Sequence, residues 1–547
     1  MRLVTIASAL SLLCVGGAAQ GTGGLPPVPT PVENPLTPAK AMLGKALFWE
    51  EQLSSTKTVS CATCHMPEAG GADPRTFRAL NPGVDEKFGT PDDVRGTLGV
   101  ILHHANARYI FDPLFGLEPQ VTAYKSPSVF LAAYDPDLFW NGRTGPVLYD
   151  PIGGGVVIPA GATLEAQAML PLVSEVEMGN VAVDWPDVLT RVRTSRPLAL
   201  ASEIPDPLRR WLGNATYAEL FARAFGTHDI TPARIGMAIA SYERTLIPDR
   251  APIDAHLRGD PHALSPVEKR GFAVFRSVGC DRCHPPPLFT TSKFANVGLR
   301  PASDNFGRFD ITRDPADMGA FKIPSLRNVV QRAPYFHDGR VDTLAEVIAF
   351  YVRGGDFHEH QSPLIRPFAL SGRDRNALLA FLTGALTDRR ALEGRPPFDH
   401  PRLYHDGPHV PTTFGHGSPG TDGRVPAIVA IDPPVVGNLE FRLAVRDGLA
   451  AAPAVLLVDL AGGHGSSPFG FPLYVGGSSA LTMLALGGLI PGSSRGDGWA
   501  SLLLSLPSDP GLAGVSLFLQ VLVADPAARA GVAASPGTRV TLFAARP

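Results

Sequence analysis

Two short clusters combine cysteine with histidine in one repeated pattern. The letters CATCH occupy residues 61–65, and the letters CDRCH occupy residues 280–284. In a C-x-x-C-H motif the two thiols can each bond one vinyl group of the same porphyrin, and the adjacent imidazole then reaches the iron as an axial ligand. The sequence therefore predicts two covalently attached c-type haems. The predicted attachment residues are Cys61, Cys64, Cys280 and Cys283, and the predicted iron ligands are His65 and His284.

A zinc site is the main alternative for these cysteines. Two C-x-x-C pairs could together supply four thiolate ligands to one Zn²⁺ ion. A secreted protein built on disulfides would instead scatter its cysteines along the chain. Here every cysteine after Cys14 falls within one of the two motifs, the motifs lie far apart, and each is followed at once by histidine. This pattern favours haem over zinc and over disulfides.

The N-terminus has the features of a secretory signal. Arg2 supplies a positive flank, Leu3 to Val15 form an apolar stretch, and small residues follow at 17–19. We therefore predict a signal peptide at residues 1–19 and a periplasmic location. The apolar stretch is too short for an ordinary membrane span, and no later run of eighteen apolar residues exists, so no membrane span is predicted.

The composition is that of a globular protein of several domains. The chain has 547 residues, of which 44% are hydrophobic and 18% are charged, and its formal net charge is -3. A chain of this length and apolar content can bury more than one core. No run of lysine and arginine stands out, so a nucleic acid is not expected as a partner.

Each motif is preceded by a segment that predicts a helix. Before the first motif, Thr37 and Pro38 open a pattern with apolar residues at 43, 46 and 47. Before the second, Ser265, Pro266 and Glu268 form an N-cap, a first-turn proline and a capping-box acid. This weak repeat of helix and motif predicts two cytochrome c-like helical domains, at residues 38–250 and 260–395.

The last part of the chain has a different pattern. Residues 400–423 are rich in proline, glycine and histidine, which is typical of a linker. Residues 425–547 contain short apolar runs broken by glycine, proline and serine, at 427–431, 439–445, 454–460, 514–523 and 539–543. Such spacing predicts a β-sandwich-like domain. The predicted fold is thus mainly α, with two helical haem domains followed by a β-rich domain.

Several stretches resemble one known family. The letters LGKALF at 43–48, GGAD at 70–73, FKIPSLRN at 321–328 and APYFHDG at 333–339 are similar to bacterial di-haem cytochrome c peroxidases. The resemblance spans about residues 38–390 and includes the MauG enzymes, which use peroxide to complete a quinone cofactor in another protein.

The resemblance implies reduction of hydrogen peroxide at the N-terminal haem. Electrons would enter through the second haem from a small periplasmic donor, such as a cytochrome c or a cupredoxin. One alternative is a MauG-like oxidase that modifies a protein substrate. Another alternative is a di-haem electron-transfer cytochrome that does not turn over peroxide.

The same resemblance implies the residues of the peroxide site. Gln167 and Pro171 are four residues apart, so a short helix would place them on one face. Glu177 would be the acid/base that moves protons during O–O cleavage, a role favoured by a raised pKa in a poorly hydrated pocket. Trp140 matches a tryptophan that lies between the two haems, although the family has aspartate where Asn141 stands here.

Tyr351 is the predicted distal ligand of the second haem. Thr343 and Glu346 form a capping box that opens a helix, and Gly354 is a plausible stop after it. The position of Tyr351 on this helix carries a methionine ligand in the cytochrome c peroxidases and a tyrosine in the MauG-like branch. Phenolate oxygen stabilises oxidised iron more than a thioether does, so we predict a lower reduction potential. Met318 is the alternative ligand.

The chain departs from the family at two further positions. Leu117 stands where many members hold a distal histidine, which predicts an open first haem unless His103 or His104 in the longer segment between Ala72 and Lys125 reaches the iron. The family also places calcium between the haems. Lys125 replaces its asparagine ligand, and an ammonium group cannot ligate calcium. Calcium is therefore not expected.

Overall fold

The structure is a computed structural model that describes residues 24–105, 108–467, 470–477, 479–488 and 498–546. The predicted signal peptide at residues 1–19 lies outside these residues. Within them, no helix combines the length and the apolar character that crossing a membrane requires. The chain is 30% helical and 19% strand. A mainly α chain is therefore only partly confirmed, because strands contribute substantially.

Most helices lie before residue 395. The α-helices are Pro38–Phe48, Cys61–Cys64, Thr163–Met169, Trp185–Thr194, Asp206–Leu212, Tyr217–Phe225, Pro232–Glu243, Pro252–Leu257, Pro266–Ser277, Phe309–Thr312, Leu344–Arg353, Gly372–Ala380 and Arg389–Leu392, and a π-helical turn spans Phe381–Ala385. Short 3-10 turns connect them, and those nearest the motifs are Pro67–Ala69, Pro171–Val173 and Cys280–Arg282.

The helix before the first motif forms as the sequence predicts. Thr37 caps it by accepting a hydrogen bond from the Lys40 amide, and proline occupies its first position. The helix packs across Pro232–Glu243 at Gly44. A Cβ at Gly44 would lie 1.8 Å from the Ala238 carbonyl oxygen, so only glycine permits this approach.

The helix before the second motif repeats this arrangement. Ser265 and Glu268 complete the predicted capping box at the start of Pro266–Ser277. This helix crosses Gly372–Ala380 at Gly271, where a Cβ would lie 2.0 Å from the Ala377 carbonyl oxygen. The internal repeat thus extends from the motifs to a pair of closely crossing helices beside each of them.

Strands dominate after residue 410. Within the described residues, an antiparallel six-stranded sheet has the order Ala480–Ala485, Pro453–Asp459, Ser516–Ala524, Gly537–Thr541, Thr412–Phe414, with Val532–Ala534 also paired to Ser516–Ala524. A three-stranded sheet has the order Ala427–Val429, Arg442–Gly448, Gly498–Leu503. The other strands are short pairs: Leu80–Asn81 with Val94–Arg95, Leu98–Ile101 with Pro119–Val121, Leu148–Tyr149 with Val156–Ile158, Phe294–Ala295 with Phe321–Lys322, and Gly462–Ser466 with Pro472–Val475.

All five predicted apolar runs of this part overlap observed strands. Residues of both larger sheets pack into shared apolar clusters, for example Leu443 against Leu456 and Leu519. The expectation of a linker at 400–423 is wrong for Thr412–Phe414. These residues pair with Gly537–Thr541 and form one edge of the larger sheet, because their alternating threonine and phenylalanine side chains suit a strand.

A buried polar cluster joins the β-rich part to the first helical part. The Arg442 guanidinium donates to an Asp432 carboxylate oxygen at 2.6 Å and to the Ser55 carbonyl at 2.8 Å. The Tyr109 hydroxyl donates to the other Asp432 oxygen at 3.1 Å. These buried, paired groups therefore connect Ser55 and Tyr109 of the first helical part with Asp432 and Arg442 of the β-rich part.

Candidate active site

The first motif forms a single capped helical turn. The Ser60 hydroxyl accepts a hydrogen bond from the Thr63 amide, and the Thr63 hydroxyl accepts one from the Ser60 amide. His65 is the C-cap of the helix Cys61–Cys64. The His65 Nδ1 atom lies 3.1 Å from the Gly71 carbonyl oxygen. A carbonyl partner fixes Nδ1 as the protonated nitrogen, so Nε2 remains available to a metal. The Cys61 and Cys64 thiols are both free.

The second motif presents its histidine in the same way. The His284 Nδ1 atom lies 3.1 Å from the Phe289 carbonyl oxygen, again leaving Nε2 free. Burial lowers the pKa of His284 to about 4, so the ring is neutral, which is the form that binds iron. Cys280 and Cys283 carry free thiols at the start of this motif. Two separate motifs thus offer the same set of donors.

A cavity of about 250 Å³ opens beside the second motif. Its lining is mostly apolar and comes from the helices of this region, with Cys280, Cys283 and His284 on its wall and with Phe275, Leu326, Val347, Ile348, Leu378 and Leu382 around them. Ala72, Ser126 and Trp140 from the first region complete it. An apolar cavity bounded by two thiols and one neutral imidazole fits a covalently attached porphyrin.

Tyr351 lines this cavity from the helix Leu344–Arg353. The predicted capping box and the stop at Gly354 are both observed. Within the described residues the Tyr351 hydroxyl makes no hydrogen bond, and burial raises its pKa above the ordinary value. Met318 is not among the lining residues. A phenol without a protein partner at the cavity wall is therefore positioned to meet a ligand.

Trp140 and Lys125 lie where the two regions meet. The Trp140 indole lines the cavity and donates to the Lys125 carbonyl at 2.8 Å. The Lys125 ammonium group donates to the carbonyl oxygens of Arg332 and Pro334. Burial, and next the nearby Arg332 guanidinium, lower the pKa of Lys125 to about 7. The Lys125 side chain thus occupies the position beside the Arg332 and Pro334 carbonyls, so these residues do not fit a calcium ion.

Glu177 lies close to the first motif. Its carboxyl group contributes to the raised pKa of the Cys61 and Cys64 thiols, after the larger effect of their burial. Burial raises the pKa of Glu177 itself, and the Arg143 guanidinium partly opposes this rise. The structure therefore brings a carboxyl group of raised pKa and a cation to the first motif, as a proton-transfer role requires.

Gln167 and Pro171 occupy the segment that precedes Glu177. Gln167 lies in the helix Thr163–Met169, and Pro171 begins the 3-10 turn that follows. The Gln167 side chain is half-buried and, within the described residues, makes no hydrogen bond. The neighbouring Glu165 has a different role, because it is fully buried in an ion pair with Arg244.

The loop that carries Glu177 is held from two sides. The Ser55 amide donates to the Met178 carbonyl at 2.9 Å, and Ser55 in turn accepts from Arg442 of the β-rich part. On the other side, a Cβ at Gly99 would lie 1.7 Å from the Val176 carbonyl oxygen, so the strand Leu98–Ile101 approaches this loop very closely. The β-rich part therefore supports the loop of the candidate acid/base through Ser55, which contacts the neighbouring Met178.

The segment between Ala72 and Lys125 carries His103, His104 and Leu117. His103 is buried, its Nδ1 atom lies 2.7 Å from the Ile101 carbonyl, and its ring packs edge-on against Tyr109. Burial lowers the pKa of His103 to about 3. His104 is exposed, and Leu117 packs in a cluster with Ala444. The inserted segment thus packs against the β-rich part, because Tyr109 and Leu117 share an apolar cluster with Ala444.

The chain is similar to several known proteins. A profile of the di-haem cytochrome c peroxidase family matches residues 38–262. The methylamine utilization protein MauG of Methylorubrum extorquens is 33% identical over 358 residues, which are 65% of this chain and 80% of that protein. The cytochrome-c peroxidase IdrP1 of Denitromonas iodatirespirans is 28% identical over 454 residues, which are 76% of this chain and 98% of that protein. A crystal structure of a MauG-like protein associated with microbial copper homeostasis is 26% identical, covers 70% of this chain and 97% of that chain, and has a TM-score of 0.48.

The chain belongs to the family of di-haem cytochrome c peroxidases and MauG proteins. It is accordingly an oxidoreductase of the peroxidase type with two covalently bound c-type haems. The first haem site is hereafter the one at Cys61, Cys64 and His65, and the second haem site is the one at Cys280, Cys283 and His284.

Three residues near the haem sites were not predicted as site residues. Arg143 stands beside Glu177, and the buried Glu243 lies near Cys61. His337 lines the cavity of the second haem site and stacks on Phe321 with ring centroids 3.5 Å apart. His337 lies within the quoted stretch 333–339 and Arg143 follows Asn141 by two residues, but their orientation depends on chain segments distant in sequence.

Proposed function

We propose that the chain reduces hydrogen peroxide at the first haem site with electrons that enter through the second. A haem held by Cys61, Cys64 and His65 would supply the iron at which peroxide is reduced. Glu177 takes a proton from the bound peroxide and returns it to the departing oxygen, while Gln167 and Pro171 shape the pocket. The single observation that carries this proposal is the carboxyl group of Glu177, with its raised pKa, close to the thiols of the first haem site.

A MauG-like oxidation of a protein substrate is the second candidate. It is supported by Tyr351, whose hydroxyl has no partner among the described residues and which lines the cavity of the second haem site. An anionic oxygen ligand stabilises oxidised iron, and an enzyme that stores oxidising equivalents for a slow partner needs such a ligand. We propose Tyr351 as the distal ligand and Trp140 as the electronic link between the two haem sites.

Rapid mixing with peroxide separates the candidates. The fully oxidised protein and a form with only the second haem reduced are each mixed with one equivalent of hydrogen peroxide, and the Soret and near-infrared bands are followed. A fast change in the oxidised form supports the MauG-like candidate. A change only in the half-reduced form supports a peroxidase that is activated by reduction. No change in either form would leave an electron-transfer cytochrome and overturn the proposal.

The electron donor is proposed to be a small periplasmic protein, either a cytochrome c or a cupredoxin. This proposal is supported by the family and by the signal peptide predicted from the sequence. We also propose three domains, with the limits 38–250, 260–395 and 425–547. In the third domain, we propose that the two larger sheets pack against each other as a sandwich. Clusters that take residues from both sheets support the sandwich.

Lys125 is proposed to replace a divalent cation between the haem sites. Its ammonium group, donating to two carbonyl oxygens in a buried position, supports this. We expect the purified protein to contain no stoichiometric calcium by elemental analysis. Lys125→Asn should acquire a calcium-dependent rise in Tm, whereas Lys125→Met, which offers no oxygen ligand, should not. Stoichiometric calcium in the unaltered protein would contradict this assignment.

A further inference from the structure

A chain of aromatic side chains leads from the first haem site to the protein surface. The His65 ring lies 6.5 Å from the Phe48 ring, and the Phe48 ring lies 5.2 Å from the Tyr242 ring, both measured between centroids. The Trp49 indole nitrogen donates to the Tyr242 hydroxyl at 3.2 Å. Trp49 then stacks on His400 with centroids 4.3 Å apart and planes within 1°. These contacts form one unbroken series.

The series begins in the core and ends at the surface. Trp49 is 1% exposed and Tyr242 is 2% exposed, so water reaches neither ring. His400 covers Trp49 and keeps 21% of its side chain exposed. A hydrogen bond of 2.8 Å from the His400 Nε2 atom to Glu68 fixes its ring in the stacked orientation. The oxidisable rings are thus buried, and one partly exposed ring connects them to solvent.

The residue types at the centre of the series suit one-electron chemistry. Tyrosine and tryptophan are the aromatic side chains that lose an electron most readily, whereas phenylalanine can only bridge them. Apolar packing alone would be served by phenylalanine or leucine, which carry no polar atom that needs a partner. Here the indole donor and the phenol acceptor satisfy each other inside the core. The two ring nitrogens of His400 bond the Pro401 carbonyl and the Glu68 carboxylate, which raises the pKa of His400, so His400 and Glu68 form a neutral ion pair beside Trp49.

We propose that Trp49 and Tyr242 form a one-electron relay between the first haem site and the surface at His400. The proposal rests on the proposed peroxide reaction at that site. Its role is to draw oxidising equivalents away from the first haem site when no donor protein has supplied electrons to the second.

The electron balance of the relay is simple. Reduction of one hydrogen peroxide to two water molecules takes up two protons and two electrons. One electron is drawn from the Trp49 indole, directly or through Tyr242, and the other from the haem centres. Trp49 becomes a radical cation that keeps its Nε1 proton in the hydrogen bond to Tyr242. A small reductant of the enediol or hydroquinone class releases two electrons and two protons on full oxidation. It restores first Trp49 and then, through Trp49, the haem centres in two one-electron steps by way of His400, so one reductant balances one hydrogen peroxide.

The test uses the full-length holoprotein and three variants. Trp49→Phe and Tyr242→Phe remove the two oxidisable rings while retaining aromatic packing. Trp185→Phe is the matched control, because Trp185 is also buried in the core of the first region, at 8% exposure, but lies outside the series. Each protein is treated with excess peroxide without donor. The readouts are the radical signal in electron paramagnetic resonance, oxidation of individual tryptophans by peptide mass spectrometry, and the rate at which the Soret band bleaches.

We expect a tryptophan radical and selective oxidation of Trp49 over Trp185 in the unaltered protein. Trp49→Phe should lose that signal and bleach several times faster, Tyr242→Phe should show an intermediate loss, and Trp185→Phe should behave as the unaltered protein. Ascorbate should abolish Trp49 oxidation. Equal oxidation of Trp49 and Trp185 in the unaltered protein would overturn the relay even if a variant failed to fold. If peroxide leaves the Soret band unchanged, the proposed function fails first, and the relay fails with it.

Discussion

The two haem sites are built on the same frame but present different groups to their ligands. In each, a capped helix crosses a second helix at a glycine, and in each the motif histidine bonds a carbonyl through Nδ1. Beside the first site stand a carboxyl group and a guanidinium group, Glu177 and Arg143. Beside the second stands a phenol, Tyr351, in a mostly apolar cavity.

This difference teaches how one scaffold can divide a reaction. A carboxyl group can exchange protons with a bound peroxide, which a phenol of raised pKa in an apolar cavity does poorly near neutral pH. A phenolate can hold an oxidised iron, which a carboxyl group positioned for proton transfer does not need to do. We therefore propose proton transfer at the first site and storage of oxidising equivalents at the second.

The largest expected effect follows from removing the proton-transfer group of the first site. Glu177→Gln keeps the shape of the side chain but cannot exchange a proton. We expect the second-order rate constant with peroxide to fall by about 10²- to 10⁴-fold, the usual contribution of a general acid/base. Stopped-flow mixing measures this constant.

Glu175→Gln provides the control for that variant. Glu175 is exposed on the same loop and accepts a hydrogen bond from the Ala182 amide, which glutamine can also accept. Its rate constant should be unchanged, and the reduction potentials of both haems should stay the same in both variants. A Glu177→Gln protein that reacts within twofold of the unaltered protein would remove the proton-transfer role from the first site.

A smaller effect is expected from exchanging the ligand of the second site. Tyr351→Met substitutes a thioether for an oxygen donor and should raise the reduction potential of the second haem on the order of 100 mV, since axial ligands are a main control of haem potential. Spectroelectrochemical titration measures the shift. Tyr335→Phe is the control, because Tyr335 lines the same cavity and its hydroxyl already bonds the Val330 carbonyl. An unchanged potential and spectrum in Tyr351→Phe would show that Tyr351 does not ligate the second haem. The proposed difference between the two sites would then no longer include a phenol ligand at the second.

Local features of both sites were predictable, and features made by distant segments were not. The motifs, the helix caps at Thr37, Ser265 and Thr343, and the helix that carries Tyr351 all follow from short patterns, and the structure confirms them. The closeness of Glu177 to the first motif was inferred from the family rather than from spacing, because the residues are far apart in sequence.

The β-rich part shows more clearly that local sequence patterns do not predict contacts between distant segments. Five of its strands were foreseen as apolar runs. Six described strands were not foreseen: Thr412–Phe414, Gly462–Ser466, Pro472–Val475, Ala480–Ala485, Gly498–Leu503 and Val532–Ala534. In Thr412–Phe414 and Gly462–Ser466, the glycine, serine and threonine residues resemble those of a linker. The contact of Arg442 with Ser55 joins residues far apart in the chain. No local signal indicates such a pairing, and so the support of the Glu177 loop by the β-rich part became visible only in the structure.

The smallest expected effect concerns how the folding stability of the protein depends on pH. Glu243 is buried near Cys61, and its Oε2 atom has no hydrogen-bond partner among the described residues. Burial raises the pKa of Glu243 from 4.5 to about 8. Between these two values the folded protein binds a proton that the unfolded chain does not, so stability falls as pH rises, by up to about 1.4 kcal/mol per pH unit for one such group.

Glu243→Gln should remove this fall of stability with rising pH, which we expect to arise in the first region and not in the second. We expect the variant to gain stability relative to the unaltered protein at pH 8 and to match it more closely at pH 5, as measured by denaturant unfolding at both values. Glu346→Gln is the control in the second region, because Glu346 is an exposed capping residue and its substitution should shift stability equally at both pH values. A Glu243→Gln variant with the same pH dependence as the unaltered protein would mean that Glu243 is charged in the fold.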